Sequence, residues 1–204
     1  MPIDTWFATQ IYFEKLHQAS DPIRKQLLLE ICDLENLDGG GKSWSKENYK
    51  NGFTSYASAN RLHESSSTFA RWETLVAKHV AKFVKSLELD MGGEKLVMDT
   101  CWANVMKKNT HHNTHIHPLS VISGTYYVSA PKDAAEIKFE DPRLNLFMGS
   151  PPRKPDCKPK NRNFVSYPAT PGYLVLFESW MRHEVPLHTS KEDRVSISFN
   201  YHLA

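Results

Sequence analysis

Residues 113–118 read Asn-Thr-His-Ile-His-Pro, and far downstream come His183 and then Arg194-Val-Ser196. These are residue types for holding a metal ion and an anion. Side chains two apart on an extended segment point to the same face, so His115 and His117 present two imidazoles together. His183, from a later strand, can close a metal site against them. Arg194 can grip a carboxylate with both arms of its guanidinium, and Ser196 can add a further hydrogen bond. Iron(II) with open positions is typically held by two histidines and one carboxylate. Here His117 stands where that carboxylate is expected. Either three histidines bind the metal with one less negative charge, or two bind and water fills the gap. Zinc competes for the same ligands, but no cysteine stands near these histidines. The combination suggests an enzyme that uses iron, oxygen and a dicarboxylic keto acid.

The strands that must carry these groups can be read from their alternation. Along 194–200, Arg194, Ser196, Ser198 and Asn200 share one face, and Val195, Ile197 and Phe199 share the other. A polar face in a sandwich makes sense where it lines a pocket, and a buried arginine there requires an anionic partner. Trp102 and Asn104 point the same way on strand 96–106, so Asn104 is a candidate to hydrogen-bond the keto acid or the substrate. Tyr126 and Tyr127 face opposite ways, and Tyr126 is the one assigned to the pocket. His111 and His112 lie in a polar stretch and are expected in solvent.

The remaining elements follow from periodicity. Residues 5–13 read as a strand. Asp21-Pro22 caps a helix over 22–36, and Gly39-Gly40-Gly41 ends it as a flexible loop. Residues 42–65 are polar, with Trp44, Tyr49, Phe53 and Tyr56 as isolated anchors. Phe69, Trp72, Val76, Val80, Phe83 and Leu87 form the apolar stripe of a helix over 67–88. Strands dominate from Leu96 onward, interrupted by a long basic excursion over 142–163 that could close over an anionic substrate. The expected fold is α+β: a double-stranded β-helix, or jelly roll, with N-terminal helices packed on one face. The expected organisation is one domain over 1–204, with a helical support region over 1–95 and the β-helix core over 96–204.

Bulk properties exclude other classes. Formal net charge +2 is too small to argue for nucleic acid or an anionic membrane, and no run of 18 apolar residues is present. The first residues lack the pattern of a signal peptide. Cys32, Cys101 and Cys157 are an odd, scattered set, which fits a reducing cytoplasm. The expected partner is a small molecule or an amino-acid side chain.

Longer motifs carry a resemblance. Trp102-Ala-Asn104, His115-Ile-His117-Pro-Leu-Ser120 with Ser123-Gly124-Thr-Tyr126-Tyr127, Gly172-Tyr-Leu-Val-Leu-Phe177-Glu-Ser179-Trp180-Met-Arg-His183-Glu-Val185-Pro186, and Arg194-Val-Ser196-Ile-Ser-Phe199-Asn200 follow one another in order. Over about residues 96–202 the chain resembles the iron(II)- and 2-oxoglutarate-dependent oxygenases, in particular a bacterial and phage subgroup with a His-x-His-Pro motif. The resemblance implies a double-stranded β-helix, iron(II) on His115 and His183, and Arg194 on the distal carboxylate of 2-oxoglutarate. It also implies ascorbate as an accessory reductant and hydroxylation as the reaction. The superfamily has Asp or Glu where this chain has His117. Two rivals are a cupin-type metal enzyme and a non-catalytic β-sandwich binding module. Cupins place a glutamate a few residues after His-x-His, where this chain has Pro118-Leu-Ser-Val-Ile.

Overall fold

The structure, a computed structural model, describes residues 3–204. Two long helices form where the caps and stripes require them. The Asp21 side chain accepts from the N–H of Ile23 and starts α1 (Pro22–Leu37), with proline at its first turn. Asp38 then closes one helix and opens the next. Its N–H donates to the Leu34 carbonyl, and its side chain accepts from the N–H of Gly41 at the start of α2 (Gly39–Asn48). The three glycines are therefore a helix start, not the flexible loop expected from composition. Gly41 is needed there because a Cβ would stand 2.9 Å from the ring of Phe53. A short strand β2 (Gly52–Thr54) and a helical turn α3 (Leu62–Ser65) follow within the polar stretch. Ser66 caps α4 (Ser67–Leu87), whose stripe of Phe69, Trp72, Val76, Val80 and Phe83 is buried. Glu30 of α1 accepts 2.6 Å hydrogen bonds from both Ser66 and Thr68, tying the two helices together.

The strands build two antiparallel sheets. β1 (Tyr12–Lys15), β8 (Tyr173–Glu178), β5 (Ile122–Ser129), β10 (Arg194–Leu203), β3 (Leu96–Met106) and β2 make the large sheet, in that order. β4 (His112–His115), β9 (His183–Val185), β6 (Ile137–Glu140) and β7 (Phe164–Tyr167) make the small one. The expected strand over 5–13 starts only at Tyr12. Pairing with β8 begins at Tyr12↔Leu176, while Trp6 and Phe7 before it stand in solvent. Period-two alternation sorts each strand. Ala103, Val105, Ile197, Phe199, Leu174 and Leu176 face α1 and α4 and form the main core with them. Val175 and Phe177 face inward and pack with Ile137 and Phe139 of the small sheet. Helices thus brace one face of a two-sheet roll, and the polar face of β10 looks into the space between the sheets. The excursion over 142–163 holds two 3-10 turns, Leu144–Leu146 and Pro159–Asn161. Among the described residues, no helix is long and apolar enough to cross a membrane.

The turn before β8 depends on Gly172. Its φ is +85°, and an added Cβ would meet the His17 carbonyl oxygen. Its own carbonyl accepts from Leu16 and its N–H donates to the Tyr127 carbonyl, so the backbone cannot move aside. We expect Gly172→Ala to lower stability in urea unfolding by about 1–3 kcal/mol or more; a change near zero would contradict this reading of the turn.

Candidate metal centre and its cavity

β4 and β9 pair in the register His115↔His183, which sets these two imidazoles side by side with ring centroids 4.3 Å apart. His117 lies two residues beyond β4 and is held by its N–H to the Ser179 carbonyl. Its Nε2 stands 3.3 Å from Nε2 of His115. One ring nitrogen from each of the three histidines lies within 4.8 Å of the others. His183 is buried, His117 half-buried and His115 open to the mouth.

Each of the three has its outer nitrogen committed. His115 Nδ1 donates to the Asn113 carbonyl (2.7 Å), His183 Nδ1 to the Met181 carbonyl (2.9 Å), and His117 Nδ1 to Asn200 Oδ1 (2.6 Å). A carbonyl oxygen only accepts, so the proton of each neutral ring sits on Nδ1 and the Nε2 lone pair is left free. Loss of water around the rings favours the neutral form. Burial holds the His183 pKa down at about 2 and that of His117 at about 4, and it lowers that of His115 as well. Two lone pairs facing each other at 3.3 Å repel unless a cation lies between them. The donor set therefore fits a divalent metal, with outer partners that fix ring orientation as metal-binding histidines require. The acceptor for His183 is thus a backbone carbonyl and not the neighbouring Glu184. Glu184 instead binds Lys138 and Thr114.

At the other end of the cavity Arg194 is 2% exposed. Its Nε donates to the Ala135 carbonyl (3.1 Å), and one terminal nitrogen lies 3.4 Å from Ser196 Oγ. The guanidinium lies 4.9 Å from the centroid of the Tyr127 ring. Among the described residues no carboxylate comes within 4.0 Å of it. Beside it, the Tyr49 and Tyr127 hydroxyls, both able to donate, are buried without a hydrogen-bond partner. Buried polar atoms are nearly always paired, so unpaired groups around an uncompensated cation mark a place for an anionic ligand.

Tyr126 is not part of this set. Its register on β5, opposite Ile197 and Leu174, turns it toward the helices. There it packs on Trp72 and bonds His17 Nδ1 at 2.8 Å. Tyr127, one residue on, faces inward. His112 also departs from expectation. It is half-buried, stacked on Tyr49 at 4.5 Å, and burial pushes its pKa down to about 3. His111 is exposed, as expected.

The cavity between the sheets holds about 610 Å³. His115, His117, His183, Asn104, Arg194 and Ser196 all line it. Its outer wall comes from the polar segment in which the sequence shows only isolated aromatic anchors, with Trp44, Glu47, Asn48 and Tyr56, while Tyr49 of the same segment reaches in beside Arg194. No residue of 142–163 lines the cavity. Within the excursion, Arg143 is paired to Asp141. Asn200 was placed on the correct face, but its bond to His117 crosses 83 positions of sequence and had no local signal.

Comparison with known proteins agrees with this geometry. Residues 100–200 match the family described as "Putative 2OG-Fe(II) oxygenase". Similar folds include the non-heme alpha-ketoglutarate-dependent epimerase SnoN from nogalamycin biosynthesis, with TM-score 0.66 and 13% identity over 95% of this chain and 76% of that one. A Pseudomonas putida prolyl-4-hydroxylase gives TM-score 0.63 and 12% identity over 95% and 93%. HygX from Streptomyces hygroscopicus, solved with nickel and 2-oxoglutarate bound, gives 0.61 and 12% over 95% and 83%. No curated protein matches the chain. The fold is that of the double-stranded β-helix oxygenases, and the chain belongs to the 2OG-Fe(II) oxygenase family.

An uncompensated buried charge contributes little to the ligand-free fold. Arg194→Met should therefore leave thermal stability within about 1 kcal/mol of the parent, or raise it. A loss of several kcal/mol in calorimetry would mean that Arg194 is a structural residue.

Proposed function

We propose that the chain is an iron(II)- and 2-oxoglutarate-dependent dioxygenase that hydroxylates a small molecule or an amino-acid side chain. In this reading His115, His117 and His183 hold the metal, and Arg194 with Ser196 binds the distal carboxylate of 2-oxoglutarate. The observation that carries it is the pairing of three free Nε2 lone pairs with an unpaired buried guanidinium in one cavity. When bound, iron and 2-oxoglutarate supply oxidation of a C–H bond by O2, with release of succinate and carbon dioxide.

The chain's own groups do the positioning. The carbonyls of Asn113 and Met181, with the Asn200 amide, keep each imidazole turned inward as a neutral donor. Arg194 neutralises one end of the dicarboxylate, and Tyr49 Oη and Asn104 Oδ1 are at hand for further hydrogen bonds to bound molecules. The buried walls of Ile137, Phe177 and Trp102 keep water from the inner cavity. Cys32, Cys101 and Cys157 stand as free thiols, which supports a reducing, cytoplasmic setting.

Anaerobic addition of iron(II) and 2-oxoglutarate should produce a metal-to-ligand charge-transfer band. We expect His117→Ala to weaken iron binding at least tenfold, on the order expected for loss of a ligand or its partner. An unchanged band and affinity would remove His117 from the ligand set. Arg194→Ala should weaken 2-oxoglutarate while sparing iron, and equal cosubstrate affinity would refute the grip. Asn200→Ala should lower metal affinity about 10- to 100-fold, as loss of an outer partner does; parent-like affinity would show that His117 orients without it.

A further inference from the structure

The outer half of the cavity is built differently from the inner half. Three rings run in contact from the mouth toward the histidines. Trp44 and Tyr56 have centroids 6.3 Å apart, Tyr56 and Trp102 5.1 Å, and Trp102 and His117 6.0 Å. Trp44 is 36% exposed and Tyr56 47%, so their rings remain reachable from solvent. Neither belongs to a buried core cluster. Adjacent planes are inclined by 59° and 68°. Rings set at such angles form a corner that meets a compact group on more than one side. A flat stacking platform for a planar ligand would need them nearly parallel.

Charge divides the cavity along its length. Trp44, Glu47 and Asn48 occupy positions i, i+3 and i+4 of α2, so one helix face carries an aromatic ring, a carboxylate and an amide into the wall. Glu47 has no ion-pair partner among the described residues. Asn48 donates its Nδ2 to the Trp44 carbonyl, which leaves its Oδ1 as an acceptor. Lys42 and Lys46 of α2 do not line the cavity; Lys50, which does, follows Tyr49, which stacks on His112 and borders Arg194. The face of α2 that lines the cavity therefore combines a π face with a carboxylate.

We propose that this mouth is a cage for an alkylammonium group. The substrate is then an amine, protonated or methylated on nitrogen, whose carbon chain passes Trp102 to reach the histidines. Faces of Trp and Tyr attract a cation through the ring quadrupole, and Glu47 supplies the countercharge. The placement of the oxidised carbon rests on the function proposed above; the binding of the cation does not. The same head group could belong to a free amine or to a lysine side chain, and the cage chemistry is common to both.

The test is titration of 15N-labelled protein with choline and with 3,3-dimethyl-1-butanol, its neutral isostere, followed at the tryptophan indole resonances. It is run on the metal-free protein and again with nickel and 2-oxoglutarate. Choline should shift the Trp44 and Trp102 signals saturably, and the neutral alcohol should require at least about tenfold higher concentration. Trp44→Ala, Tyr56→Ala and Glu47→Gln should each weaken choline by roughly 3- to 30-fold, whereas Trp6→Ala, a substitution outside the cavity, should not. Capped lysine against a lysine-containing decapeptide then assigns the source: tighter binding of the peptide points to a protein side chain, and equal binding to a free amine. Equal affinity for choline and its isostere, no saturable shift, or parent-like affinity in the three wall variants would each overturn the cage. Because the metal-free titration needs neither iron nor 2-oxoglutarate, a failed charge-transfer experiment leaves it readable.

Discussion

Everything in this site depends on where three protons sit. Each of the imidazoles gives its Nδ1 hydrogen to an oxygen outside the cavity, and so must aim an unshared electron pair inward. Two of those pairs meet at 3.3 Å. The rings cannot relieve the repulsion by flipping without abandoning their outer bonds. The fold supplies the restraint from both sheets. The small sheet fixes His115 opposite His183, and the large sheet supplies Asn200, whose Nδ2 donates to Thr100 while its Oδ1 also accepts from Ser123. The roll is thereby clamped at its open end by the groups that would hold a cation.

Charge explains what a histidine in the third position changes. A carboxylate there would cancel one of the two charges of a divalent ion. Three neutral imidazoles cancel none, and Arg194 adds a further buried positive charge with no protein carboxylate near it. With a divalent metal on the proposed three-histidine set, the inner cavity would favour a dianion more strongly than a site with a carboxylate ligand would. The mouth has the opposite character, with Glu47 and a corner of aromatic rings. The two halves can sort the ends of two different ligands without a moving part.

The locally encoded features of the fold are legible in the sequence alone. The cap at Asp21, the stripe from Phe69 to Phe83, and the alternation along β3 and β10 depend on neighbours within a few residues, so sequence shows them directly. The pocket face of β10 was readable for the same reason, because only one set of alternating residues was polar. What failed depended on distant partners. Tyr126 and Tyr127 are chemically alike, and only the register of β5 against β8 and β10 decides which faces inward. Three glycines suggest a loop until Asp38 is seen capping them and Phe53 is seen pressing on Gly41. The polar stretch with scattered aromatics gave no periodicity, yet it forms the outer wall.

The most direct test of the metal centre is iron K-edge X-ray absorption on the anaerobic iron(II) protein, read for imidazole scattering and compared with the Asn200→Ala variant. The account predicts three imidazoles around iron in the parent and two in the variant. Two imidazoles in both, or no iron retained by the parent, would contradict it.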